Sequence, residues 1–171
     1  TTHTESSVKR ARSGAARILL AARRKAHANG RSEPQLVPIG LHYSESHTFR
    51  ERAAVIVERV MKFAPIPSLV EDPDEQDTID REWVTEVTNS IGVELNRASL
   101  SKTTWRERTL IWKGRSLAYA EKARQSGGKL VKPSYAESVM GARRVRAGWE
   151  YLAEHDPSLT GKLVEDCEHH F

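Results

Sequence analysis

The sequence has few cysteines and no long apolar runs, and both shortages narrow what the protein can be. Its 171 residues include one cysteine, Cys167, so an internal disulfide is excluded and a reducing compartment is indicated. No apolar run approaches the roughly 20 residues that a membrane-spanning helix needs. With 38% hydrophobic and 29% charged residues, the composition predicts one globular domain, or one and a half small ones, rich in helix surface.

Acidic residues are scarce in two long stretches of the chain and basic residues are scarce in a third, although the net charge is only +4. Residues 1–31 hold eight Lys or Arg against one acid, and residues 97–132 hold ten against two. Between them, residues 68–82 carry seven acids against Arg81 alone. The basic blocks predict anionic partners, namely phosphate substrates, anionic lipid headgroups or nucleic acid. The alternative is a set of solvated helix faces that keep the protein soluble.

The first part of the chain reads as one helix followed by two strands. A stripe of small and apolar residues at three- and four-residue steps predicts a helix over residues 6–28, ended by Asn29 and Gly30. Apolar segments at 36–43 and 53–60 predict strands. We expect the first strand to be buried on both faces, with Pro38 at an edge or bulge. The helix stripe is expected to pack on this strand, with Ala15, Ile18, Leu19 and Ala22 against Val37, Ile39 and Leu41.

The remainder of the chain reads as helical. An acidic loop at 71–80 leads into a helix that carries Trp83 and Val87 on one face. Capping boxes at Thr104/Glu107 and Ser134/Glu137 predict the starts of two further helices. The first of these is expected to stop at Gly127 and Gly128, and the second before Asp156 and Pro157. The tryptophans of these helices are assigned to the core, and Cys167 to a solvated tail. The tryptophans in question are Trp105, Trp112 and Trp149.

Four segments of the first part resemble the glycerolipid acyltransferases, the family that acylates glycerol 3-phosphate or 1-acylglycerol 3-phosphate. The family pattern has small hydroxyl residues after a Glu-Gly, a Gly-Ala-Ala-Arg helix, a Val-Pro-Val-Gly-Leu-x-Tyr strand and a His-x-Phe-Arg-x-Arg-Ala segment. In this chain the matching segments, in the same order, are Thr1-Thr2-His3, Ser13-Gly14-Ala15-Ala16-Arg17-Ile18, Val37-Pro38-Ile39-Gly40-Leu41-His42-Tyr43 and His47-Thr48-Phe49-Arg50-Glu51-Arg52-Ala53.

The resemblance implies an α/β fold class. Residues 1–67 are expected to be the C-terminal part of an acyltransferase α/β domain, in the order helix, strand, strand. Residues 68–171 are expected to form an all-α extension. The implied activity is transfer of a fatty acyl group to a glycerol phosphate hydroxyl in phospholipid biosynthesis. The acyl donor, acyl-CoA or acyl-carrier protein, would be a co-substrate, and no cofactor is expected.

The sequence departs from the family at the catalytic base. The family uses a His and an Asp separated by four residues, in which the Asp orients the imidazole that accepts the hydroxyl proton. None of the seven histidines has an Asp at that spacing. We therefore assign no catalytic residue, and we expect the chain to be a C-terminal fragment that is inactive by itself.

The resemblance implies that this chain retains part of the wall of a substrate-binding site. It assigns Thr1, Thr2 and His3 to positions near the glycerol phosphate, where hydroxyl and backbone N–H groups can donate hydrogen bonds. It assigns Pro38 and Gly40 to the strand beside the acyl pocket. No metal site is predicted, because His42 and His47 lack carboxylate or thiol neighbours and the Glu, Cys and His residues at the chain end read as a polar terminus.

The expected partners are a glycerol phosphate acceptor, an acyl donor and a membrane surface, at the cytoplasmic face of the membrane. Nucleic acid is not expected under this interpretation. The competing hypothesis is a basic helical module that binds nucleic acid or anionic membrane, which the basic blocks and a pI near 9.3 favour. Against the nucleic-acid version, the sequence has no helix-turn-helix, zinc-finger or RNA-recognition signature.

Overall fold

The computed structural model describes residues 6–8, 10–44, 52–128 and 132–169. In chain order the elements are α1 (Gly14–Ala28), β1 (Ile39–Tyr43), β2 (Ala53–Val57), α2 (Pro73–Ala98), α3 (Trp105–Gln125), α4 (Tyr135–His155) and α5 (Pro157–His169). Two compact units result. The first, the α1–α2 unit, lies within Val8–Gly40 and Ile56–Ala98, and the second, the α3–α5 unit, within Thr1–Ser7, Leu41–Val55 and Ser99–Phe171.

The predicted α/β fold class is wrong. Among the described residues the structure is mainly helical, and its sheet has two strands, β1 and β2. The Ser44 N–H donates to the Arg52 carbonyl and the Glu58 N–H to the Pro38 carbonyl, both at 3.0 Å, so the strands run antiparallel. An α/β domain needs a larger, mostly parallel sheet with helices on its faces. The described chain contains a helical protein with one hairpin instead.

The hairpin buries its small residues and exposes its large apolar ones. These two hydrogen bonds set a register that places Ile39 opposite Val57 and Leu41 opposite Val55. All four side chains are exposed. Gly40, His42 and Ala54 point to the other, buried face. The expectation of a strand buried on both faces is therefore wrong, because a two-stranded sheet has one face covered here and the other open.

Helix α1 packs its apolar stripe against α2, and not against the first strand as predicted. Leu19 and Leu20 are buried in a core with Trp83, Val84 and Val87. The exposed side chains at Ile18, Ile39 and Leu41 contradict the predicted packing of the stripe on the first strand. The core of this unit is therefore a helix–helix seam.

The boundaries of α1 and α2 differ from those predicted. Helix α1 begins at Gly14 and not near residue 6, because the segment before it has its own long-range partner. The Val8 N–H donates to Asn96 Oδ1 at 3.3 Å. Helix α2 begins at Pro73, inside the predicted acidic loop. Asp72 Oδ1 accepts from the Asp74 N–H at 2.9 Å, and proline and acidic residues are favoured in the first turn of a helix.

The α3–α5 unit confirms both predicted capping boxes and adds a helix that the sequence did not reveal. The side chains of Thr104 and Ser134 each accept a hydrogen bond from the backbone N–H of the glutamate three residues later. The side chain of that glutamate accepts one from the backbone N–H of the capping residue. Helix α5 follows α4 directly, and it buries Cys167, which is 3% exposed. The prediction of a solvated tail at Cys167 is wrong. The core assignment also fails for Trp105, which is 48% exposed.

An ion pair closes one end of the α1–α2 seam. Arg24 donates from both terminal nitrogens to the two oxygens of Asp80, at 2.5 and 2.6 Å. Gln76 donates a further hydrogen bond to Asp80 at 2.9 Å. These hydrogen bonds, led by that from Arg24, hold the pKa of Asp80 below its usual value.

Replacing Leu19 by Ala should destabilise the α1–α2 unit, because Leu19 is buried in the seam and its loss leaves a cavity. We expect a loss of about 2–5 kcal/mol in the free energy of unfolding. Ile18→Ala is the matched control at a position that is 72% exposed, and it should stay within about 0.5 kcal/mol. Urea unfolding followed by circular dichroism measures both, and equal losses would contradict the assignment of the core.

The Asp80 ion pair should make stability depend on pH in the acid range. Because the folded pKa is lowered, the stabilisation is present above the unfolded pKa, about 3.9, and is lost as pH falls through the folded value. Asp80→Asn should cost about 1–3 kcal/mol at neutral pH and flatten this acid dependence. Asp77→Asn, which breaks the exposed pair of Asp77 with Arg81, should change stability by less than about 1 kcal/mol. Thermal unfolding from pH 7 to about pH 2 measures both variants, and similar profiles for the two would refute the assignment.

Candidate anion site and the predicted substrate wall

The predicted substrate residues fall into two groups in the structure. Thr1, Thr2 and His3 lie outside the described residues, as does most of the His-x-Phe-Arg-x-Arg segment. Pro38 and Gly40 lie on the buried face of the hairpin, on the same side as His42. The Pro38 carbonyl accepts a ladder hydrogen bond from Glu58, and its missing N–H is tolerated because β1 is an edge strand.

Sequence reasoning missed a cationic cluster in the α3–α5 unit, which we call the two-arginine cluster. It consists of Arg52, Arg108 and Tyr135. The Arg52 guanidinium carbon lies 5.8 Å from the centroid of the Tyr135 ring. Arg108 and Tyr135 also interact electrostatically, each altering the other's pKa. The cluster joins the residue just before β2, the fourth residue of α3 and the first residue of α4.

Arg108 is the unusual member of this cluster. Its guanidinium carbon lies 5.1 Å from the centroid of the Trp105 ring, so the aromatic face supports the cation. Burial lowers the pKa of Arg108, and Tyr135 partly offsets this. No acidic partner of Arg108 occurs among the residues that the structure describes. A partly desolvated cation with no counter-ion among the described residues would be stabilised by an incoming anion.

Tyr135 adds a neutral hydrogen-bond donor beside the two cations. Burial raises the pKa of Tyr135, while Arg108 and Arg52 lower it in part. The phenol is therefore protonated near neutral pH, since the pKa lies above the usual value of about 10. Its hydroxyl and the two guanidinium groups supply the donor types that bind phosphate oxygens. The cluster is suited to binding an anion and not to proton abstraction.

Several other basic residues are already paired with acidic side chains. In the α1–α2 unit, Arg23 pairs with Glu33 at 2.6 Å and Arg24 pairs with Asp80. In the α3–α5 unit, Glu150 accepts from Lys102 and Arg146, each at 2.9 Å. The basic blocks of the sequence therefore overstate the positive charge available to a partner.

Within the described parts of the chain, no group of three or more His, Cys, Asp or Glu side chains is arranged to hold a metal ion. None of the described helices combines the length and apolar character that crossing a bilayer requires.

Comparison of the chain with known protein families, with curated proteins and with solved structures found no match. The acyltransferase resemblance therefore stands on the four segments themselves.

Proposed function

We propose that this chain takes part in acyl transfer to a glycerol phosphate, as an acceptor-binding part of a glycerolipid acyltransferase. The proposal concerns activity and not fold, since the described residues do not form an α/β domain. The chain has no His and Asp pair at the family spacing, so we assign it acceptor binding and leave the base to another segment or chain. The acyl donor remains acyl-CoA or an acyl-carrier protein.

The two-arginine cluster is the observation that carries this proposal. Arg52 belongs to the fourth segment of the resemblance, and it lies beside Tyr135, whose pKa both Arg52 and Arg108 influence. A glycerol phosphate carries a dianionic headgroup whose oxygens can accept charge-assisted hydrogen bonds from the Arg108 guanidinium. The small polyol part can accept a hydrogen bond from the hydroxyl of Tyr135.

Glycerol 3-phosphate should bind the purified chain, and Arg108→Met should weaken that binding about tenfold or more. The physical reason is loss of a charge-assisted hydrogen bond, which contributes about 1.5–3 kcal/mol. Isothermal titration calorimetry measures the dissociation constants. Methionine keeps much of the packing against Trp105, so folding is preserved.

Arg144→Met is the matched control, because Arg144 is an exposed cation on α4 of the same unit. It should bind glycerol 3-phosphate within about twofold of the unmodified chain, as surface charges contribute little. Equal weakening by both substitutions would mean that net charge, and not the cluster, governs binding. Absence of any binding by the unmodified chain would refute the proposed role.

A membrane surface is the second candidate partner, and one observation on α1 favours it over nucleic acid. Ile18 is 72% exposed, and the exposed cations Arg17 and Lys25 lie one residue before it and one heptad after it. This combination suits an anionic bilayer, where an apolar side chain enters the interface and cations meet the headgroups. Nucleic acid phosphates would use the cations alone.

Anionic vesicles should therefore bind the chain in a salt-sensitive manner. Each cation near an anionic leaflet contributes about 1 kcal/mol, which falls off within a Debye length. The double variant Arg17→Gln/Lys25→Gln should reduce co-sedimentation with phosphatidylserine vesicles several-fold. The control is Arg81→Gln, which removes a cation of α2 that is paired with Asp77. Salt-insensitive binding, or equal loss in both variants, would refute this surface.

A further inference from the structure

The exposed side of the hairpin formed by β1 and β2 is apolar throughout, and we call it the hairpin face. An antiparallel sheet with one covered side normally shows polar side chains on the other. Here none of the side chains on the open side is charged, and the five larger ones are each 50–65% exposed. The residues of the hairpin face are Ile39, Leu41, Tyr43, Ala53, Val55 and Val57.

Within the hairpin face, the larger member of every cross-strand pair lies on β1. The ladder places Tyr43 opposite Ala53. The other two pairs follow the same order, with isoleucine or leucine on β1 and valine on β2. The β1 half of the face is therefore raised relative to the β2 half. Well-packed layers bring large side chains over small ones, so the complement of this face has its larger residues over β2.

A second copy of the same face supplies that complement. A two-fold axis that is parallel to the strands and lies between two copies places β1 of each copy over β2 of the other. Tyr43 then faces Ala53 of the partner subunit, and Leu41 faces Val55 of the partner subunit. A two-fold contact uses the same patch on both copies, and two sheets packed face to face keep their strand directions nearly aligned.

The area of the hairpin face suits a weak, reversible dimer. At these exposed fractions the face leaves on the order of 500 Å² of apolar surface open, comparable with the largest patch of a typical monomer. Two such faces would bury on the order of 1,000 Å² in total, which is the lower limit expected of a specific interface.

We propose that the hairpin face is an interface between two copies of this chain, related by a two-fold axis parallel to β1 and β2. A bilayer surface would also cover apolar side chains, but fluid lipid tails do not require the larger residues to lie on one strand. The inference is independent of the proposed acyltransferase role, because no residue of the hairpin face belongs to the two-arginine cluster.

Sedimentation velocity of the purified chain should show a monomer–dimer equilibrium at micromolar concentrations. Leu41→Glu puts a charge at the centre of the interface and should raise the dimer dissociation constant at least about tenfold, because a buried unpaired charge is costly. Leu69→Glu is the matched control, since it makes the same change at a 77% exposed position outside the hairpin. It should leave the dissociation constant within about twofold. Circular dichroism verifies that both variants remain folded.

An exchange of side-chain size tests the direction of the axis. Tyr43→Ala leaves a gap over Ala53 of the partner subunit, and Ala53→Tyr collides with Tyr43 of the partner subunit, so each should weaken the dimer about tenfold. The double variant Tyr43→Ala/Ala53→Tyr again brings a large side chain over a small one. Its dissociation constant should return to within about threefold of that of the unmodified chain.

Four outcomes would overturn the proposal. The first is an unmodified chain that stays monomeric at every concentration, and the second is equal weakening by Leu41→Glu and Leu69→Glu. The third is a double size-exchange variant that is no better than the two single variants, which would exclude this axis. The fourth is a monomer whose binding to lipid vesicles is abolished by Leu41→Glu, which would assign the hairpin face to a membrane.

Discussion

The seam between α1 and α2 is the constraint on which the first unit depends. Leu19 and Leu20 are buried there with Trp83, and the Trp83 indole N–H donates to the Pro65 carbonyl at 3.2 Å, which fixes the segment after the hairpin to the same seam. Helix α1 has one apolar stripe, and its use against α2 leaves that stripe unable to cover β1. Ile39 is exposed because the apolar stripe of α1 is already buried against α2 and does not cover β1.

The hairpin then explains why the expected fold class fails. Its buried face consists of small or polar residues such as Gly40, His42 and Ala54, while its large β-branched and aliphatic residues are exposed. Strands that are apolar on both faces are typical of sheets covered from both sides. In the described residues only one side is covered, so the apolar composition of β1 predicts more burial than a two-stranded sheet provides.

Local features of the fold could be predicted from sequence, and long-range ones could not. The capping boxes at Thr104 and Ser134, and the helix stops at Gly30 and Gly127, depend on residues within a few positions of one another, and all four are found. The apolar stripe of α1 could pack on β1 or on α2, and hydrophobic periodicity does not decide between these two surfaces. The two-arginine cluster brings together three segments that are distant in sequence. Of its members, only Arg52 falls in a segment that the sequence singles out, the fourth segment of the acyltransferase resemblance.

Burial of a polar group decides more about partners here than the overall charge does. Arg23 and Arg24 belong to the most basic block of the sequence, yet each is tied to a carboxylate, and such cations gain little from a new anion. Arg108 is partly buried and has no acidic partner among the described residues. Burial of its guanidinium costs free energy of hydration, and an anion that pairs with it would recover part of that cost.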